Sequence, residues 1–102
     1  MADLGGDPAV MQELVDTFLD EGAKMVPQLR SALAAGDRRT LDRIAHSMKS
    51  TSATFGAMDL SHMCRNLEAD SERAIPADAE PRVAAIVAEW DRVRAGSVAW
   101  RS

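Results

Sequence analysis

A chain of 102 residues is one domain's worth, able to bury roughly two-thirds of its unfolded surface in a single core without disulfide or metal staples. Its net charge of −4 argues against general nucleic-acid binding, and its lone cysteine, Cys64, excludes an internal disulfide and fits a reducing cytosol. No apolar run approaches the ~18 residues of a membrane span, and Met1 to Asp7 lacks the basic and apolar regions of a signal peptide, so a single cytoplasmic domain over residues 1–102 is expected.

Few aromatics, no tyrosine and few strand-like runs favour helices throughout. Asp7-Pro8 reads as a helix start, with Asp7 free to cap and Pro8 suited to the first turn. From there Val15, Phe18, Leu19, Gly22, Val26, Leu29 and Leu33 form one helical stripe reaching Ala35. Pro27 lies inside it and predicts a kink near Ala23, because a mid-helix proline removes one backbone bond and crowds the preceding turn. Gly36 ends this helix and Asp37 caps the next.

The second helix is predicted from about Arg38 to Phe55, with Leu41, Ile44, Ala45, Met48, Ser52 and Phe55 as its buried stripe. Gly56 can take the left-handed conformation that stops it. Asp59 is the expected cap of a third helix, whose stripe is Leu60, Met63, Cys64, Leu67, Ser71 and Ala74. The segment Ile75 to Pro81 is the loosest link. A fourth helix buries Val83, Ile86, Val87, Trp90 and Val93 and is expected to fray after Gly96. Four amphipathic helices with short connections predict an all-α, antiparallel up-down-up-down bundle.

One face of the second helix carries the chemistry. His46 falls roughly 150° from the centre of the buried stripe, so it points outward. Lys49 and Ser50 follow one turn on, and Arg39, Asp42, Arg43 and Ala53 share the same face. A neutral imidazole can take a phosphoryl group on a ring nitrogen, and a nearby cation can hold the charge that arrives. Lys49 and Arg43 oppose a positive charge on the ring and Asp42 favours one, a balance the sequence leaves open. On chemistry alone, a solvated helix face with an incidental histidine is the default reading of these residues.

Other candidates carry less. His62 and Cys64 are two apart, so on a helix they face about 160° away from each other and cannot chelate one ion. The six methionines read as core filler. There is no Gly-rich phosphate loop, Walker lysine or nucleotide-binding βαβ unit, so the chain is not expected to make its own phosphoryl donor from ATP and should be a carrier between other proteins.

The run Ala45-His46-Ser-Met-Lys49-Ser50-Thr-Ser-Ala-Thr-Phe-Gly56-Ala57 closely resembles the signature of histidine-containing phosphotransfer (HPt) domains. That signature is roughly His-x-x-Lys-Gly, then small residues, then Gly-Ala. Gly6-Asp7-Pro8, Phe18-Leu-Asp-Glu with Pro27-Gln-Leu-Arg, Ala34-Ala-Gly-Asp37 and Leu60-Ser-His-Met-Cys64-Arg-Asn-Leu67-Glu extend the likeness over nearly the whole chain. Ser50 departs from the usual glycine but is still small. The resemblance implies that His46 carries a phosphoryl group, usually on Nε2, and that Lys49 supports it. It implies transfer from a receiver-domain aspartyl phosphate to His46, then to a second receiver's aspartate. The Mg²⁺ this needs would sit in the receiver's acidic pocket, with no cofactor in this chain, which is expected to be a monomer and no ATP-using enzyme. Arg39, Asp42, Arg43, Ser50 and Ala53 are the expected receiver contacts. The alternative is a helical module that docks receivers without carrying phosphate.

Overall fold

The computed structural model describes residues 8–101, and side chains for residues 9–96. Four helices follow one another: α1 (Pro8–Ala35), α2 (Arg38–Thr54), α3 (Met58–Asp70) and α4 (Ala79–Arg101). No strand occurs among the described residues. Each helix packs on two neighbours, α1 on α2 and α4, and α3 on α2 and α4, which is the expected four-helix bundle. None is long and apolar enough to cross a membrane.

The turns have clear local causes. Gly36 adopts φ 67° and Gly56 φ 75°, the left-handed region that costs glycine little. Around each, two backbone bonds close the preceding helix as a Schellman motif. Gly36 N donates to Leu33 O at 3.1 Å and Asp37 N to Ala32 O at 2.9 Å, and Gly56 N donates to Ala53 O at 3.1 Å and Ala57 N to Ser52 O at 2.8 Å. Asp37 then caps α2, its Oδ1 accepting from Thr40 N at 3.2 Å and its Oδ2 from the Thr40 hydroxyl at 2.6 Å. Those bonds, with the charges of Arg43 and Arg39, hold its carboxyl below the usual carboxylate range.

Several boundaries differ from the sequence reading. The cap of α3 is Ala57, without a side-chain bond, and Asp59 sits inside the first turn. There its charge favours the positive end of the helix dipole rather than capping it. The helix α3 ends at Asp70, and Ser71 closes it by donating its N–H to Leu67 O at 3.0 Å, so Ala74 falls in the exposed connection. The helix α4 continues past Gly96 to Arg101, because a single glycine costs a helix about 1 kcal/mol and does not stop it. As expected, Pro27 lies inside a single helix α1; Ala23, whose carbonyl loses its donor, is exposed, so water can satisfy it. Asp7, the expected first cap, lies outside the described residues.

The core joins all four helices. Leu29, Leu41, Ile44, Met48, Leu60, Leu67 and Ile86 are buried almost completely. The predicted stripe of α2 is the buried one: Leu41, Ile44, Ala45, Met48 and Ser52. At one end Phe18 stacks on Phe55 with ring centroids 4.7 Å apart and meets Trp90 edge-on at 5.3 Å. Two polar ties set the register of α2 against α3: Arg38 Nη1 donates to Ser71 O at 3.0 Å and Glu72 O at 2.9 Å, and Ser61 Oγ donates to Lys49 O at 2.9 Å. With both ends of the pairing fixed, the middle of α3 lies beside the middle of α2.

Candidate functional site

That register brings Glu68 of α3 to His46 of α2. His46 stands outward, its side chain 58 % exposed, and its Nδ1 lies 2.6 Å from Glu68 Oε2. The other carboxylate oxygen, Oε1, accepts from Lys49 Nζ at 2.8 Å. Lys49 and Glu68 are both half-buried in the α2–α3 seam. The lysine hydrogen bond, followed by the bond from His46, holds the Glu68 carboxyl below its ordinary value against the partial burial that would raise it.

An ionised carboxylate can only accept, so the proton of a neutral His46 is assigned to Nδ1. The second ring nitrogen, Nε2, then keeps its lone pair on an exposed ring. One glutamate therefore turns the imidazole, fixes its tautomer and steadies the neighbouring cation. The arrangement suits a nucleophile that must meet another protein's reacting atom in the open.

The remaining predicted residues distribute along α2. Arg39, Arg43, Ser50 and Ala53 are exposed, as expected of a docking face. Asp42 is different: it is half-buried, and its Oδ1 is shielded without a hydrogen-bond partner. An open groove between α1 and α2, with Gln28, Ser31, Thr40 and Arg43 among its walls, reaches to within one turn of His46. His62 is exposed and Cys64 buried, and no group of three or more His, Cys, Asp or Glu that could hold a metal ion occurs among the described residues.

Glu68 is the functional residue the sequence reading missed. It stands 22 positions from His46, on another helix, and was only one of the chain's sixteen acidic residues. The one available signal was the pair His46 and Lys49 on an outward face, two donors in want of a shared acceptor.

Comparison with known proteins identifies a family. Residues 13–96 match the Hpt domain family. No curated protein matches the sequence. Among solved structures, the fold is similar to histidine-containing phosphotransfer protein B (HptB) from Pseudomonas aeruginosa PAO1, with a TM-score of 0.83 and 32 % identity, covering 86 % of this chain and 76 % of that one. Hpt domains are phosphocarrier modules, not ATP-using enzymes, and they work with the receivers of response regulators. With the match running from α1 into α4, the chain belongs to the Hpt domain family, and its general role is histidine phosphotransfer in a phosphorelay.

Proposed function

We propose that His46 is the phosphoacceptor, taking a phosphoryl group on Nε2 from a receiver-domain aspartyl phosphate and passing it to the aspartate of another receiver. The observation that carries this reading is the 2.6 Å bond between Nδ1 and Glu68, which leaves Nε2 as the free nucleophile. The family match supports it, since His46 falls inside the matched residues, and the run from Ala45 to Ala57 resembles the HPt signature around its histidine. Attack needs Nε2 in line with the phosphorus and the departing carboxylate oxygen. Lys49 is the cation that supports the phosphoryl group. Arg39, Arg43 and Lys49 form a basic strip that complements a receiver's acidic pocket and speeds encounter, with Ser50 and Ala53 keeping the approach low. Mg²⁺ belongs to that pocket, and this chain supplies no cofactor. A cytosolic monomer fits the buried, unpaired Cys64.

The test is His46→Gln, mixed with a phosphorylated receiver beside the wild type. The wild type should gain acid-labile, base-stable phosphate, and the variant should gain none while melting normally. Binding of the receiver by both proteins without label in either would favour a docking module instead. Full labelling of His46→Gln would remove the assignment.

A further inference from the structure

Arg38, the first residue of α2, lies about 12 Å along the helix from His46 and outside the site. Its Nη1 donates to Ser71 O at 3.0 Å and Glu72 O at 2.9 Å, just past the end of α3. There the guanidinium also meets the negative end of the α3 dipole. Ser71 is buried completely, and its N–H is shared between Leu67 O at 3.0 Å and Glu68 O at 3.1 Å. A single buried residue therefore connects Arg38 to the backbone of Glu68. At the other end of the seam, Ser61 Oγ donates to the Lys49 carbonyl at 2.9 Å. Glu68 lies about 10 Å along α3 from that pin and one turn before Ser71, so a swing of about 6° around Ser61 displaces it by ~1 Å. Such a shift stretches the 2.6 Å contact with Nδ1 beyond hydrogen-bond range.

We propose that Arg38 is a remote positioning residue for phosphoryl transfer: by holding the end of α3, it keeps Glu68 within reach of His46. This rests on His46 being the phosphoacceptor. Without the carboxylate contact, the neutral ring is free to carry its proton on Nε2, and the lone pair needed for attack moves to Nδ1. The role of Arg38 is separable from the fold. Arg82 of α4 pairs with Asp70 at 2.7 Å and with Asp78 at 3.1 Å, which fastens the same end of α3 to α4. Those pairs keep α3 in the bundle when Arg38 is replaced, while its seating against α2 is released.

The test uses the full chain and the variant Arg38→Met, which keeps the aliphatic stem and removes the donors. Imidazole ¹⁵N signals, taken where the ring is neutral, report which nitrogen of His46 carries the proton. Phosphoramidate, a small donor that needs no receiver, reports the labelling rate, and both are read well below the melting temperature. In Arg38→Met the Nδ1–H fraction and the labelling rate should each fall roughly threefold, since the rate scales with the fraction of competent rings. Arg38→Lys, which keeps a cationic donor, should fall between this variant and wild type, and serves as the test if Arg38→Met does not fold. In a Glu68→Ala background, Arg38→Met should change neither quantity further, because the carboxylate through which it acts is gone. Wild-type tautomer and rate in Arg38→Met, with only the melting temperature lowered, would make Arg38 a structural tie alone. An equal loss with and without Glu68 would mean that Arg38 acts by another route. Either result overturns the proposal with the phosphoacceptor intact, whereas a wild type that takes no phosphate on His46 overturns both.

Discussion

Gly22 of α1 lies directly beneath the indole of Trp90 on α4: a methyl group added at its Cα would meet Cζ2 of that ring at 2.6 Å and Cη2 closer still. The missing side chain is what lets the two helices approach. Trp90 is 4 % exposed and braced by Phe18, so it has little room to withdraw.

Gly22→Ala should therefore destabilise the bundle, although alanine is the better helix former by about 1 kcal/mol. Overpacking a well-filled core costs roughly 1–3 kcal/mol, and the overlap with a rigid ring places this site toward the upper end. The melting temperature should fall by about 4–8 °C for each kcal/mol lost in a domain of this size. Thermal melts followed by circular dichroism decide it; an unchanged or higher midpoint would show that Trp90 moves aside freely.

Cys64 supplies a second check on the core. It is buried completely, and burial pushes its thiol up to about 12. A thiol protonated and out of reach is a poor nucleophile. Native protein should resist iodoacetamide at pH 8 and react only as the bundle unfolds, so labelling and melting curves should coincide. Rapid labelling of the folded protein would contradict the packing of α3.

The pH dependence of stability should carry the signature of Glu68. Its folded-state value is depressed below the ordinary 4.5, so the stability it contributes is complete above the unfolded value and disappears as pH falls through the lower folded one. Partly exposed ion pairs are worth about 1 kcal/mol or less. Wild type should exceed Glu68→Gln by no more than that near neutrality, and the gap should close in acid. A gap that widens toward low pH would reverse the sign and remove the hydrogen-bonded carboxylate from the account.

Most of the bundle was legible because its determinants are local. The stripe from Leu41 to Ser52 declares its face by spacing alone, and Gly36, Gly56 and Asp37 mark turns through φ angles and caps that depend on a few neighbours. His46 was legible for the same reason, as the position opposite that stripe. What escaped was the register between helices. The approach of Glu68 to His46 and the seat of Trp90 over Gly22 depend on how α3 and α4 slide against their neighbours, and ties such as Arg38 to the Ser71 carbonyl set that. Nothing within one helix's periodicity encodes it. The misplaced cap at Asp59 is a smaller failure, since a good capping residue was preferred to the true boundary at Ala57.

Lys49→Ala separates charge from fold. The lysine is half-buried and bonded to Glu68, yet its removal gives α2 a better helix former, so the melt should shift little. Phosphoryl transfer should slow, or the loaded state should decay faster, because the cation proposed to support the phosphoryl group is gone. Lys49→Arg should rescue only in part, since a planar fork replaces a compact charge. Unchanged transfer and lifetime in Lys49→Ala would restrict this residue to the α2–α3 seam.

The surface beside His46 gives the last prediction. Ser50 and Ala53 are exposed on α2, one and two turns beyond the histidine, and neither belongs to the buried stripe. If a receiver brings its aspartate in line with Nε2, these positions have to remain small. Substituting them should cost the bundle little, because surface changes typically alter stability by less than about 0.5 kcal/mol. A displacement of about 1 Å in a reacting pair can nevertheless cost roughly a hundredfold in rate. Ser50→Arg and Ala53→Trp should therefore keep wild-type helicity and melting while losing receiver-dependent phosphorylation. Phosphoramidate, a donor small enough to pass the obstruction, should still load His46 in both. Normal transfer from a receiver in both variants would place the docking surface on another face of the bundle.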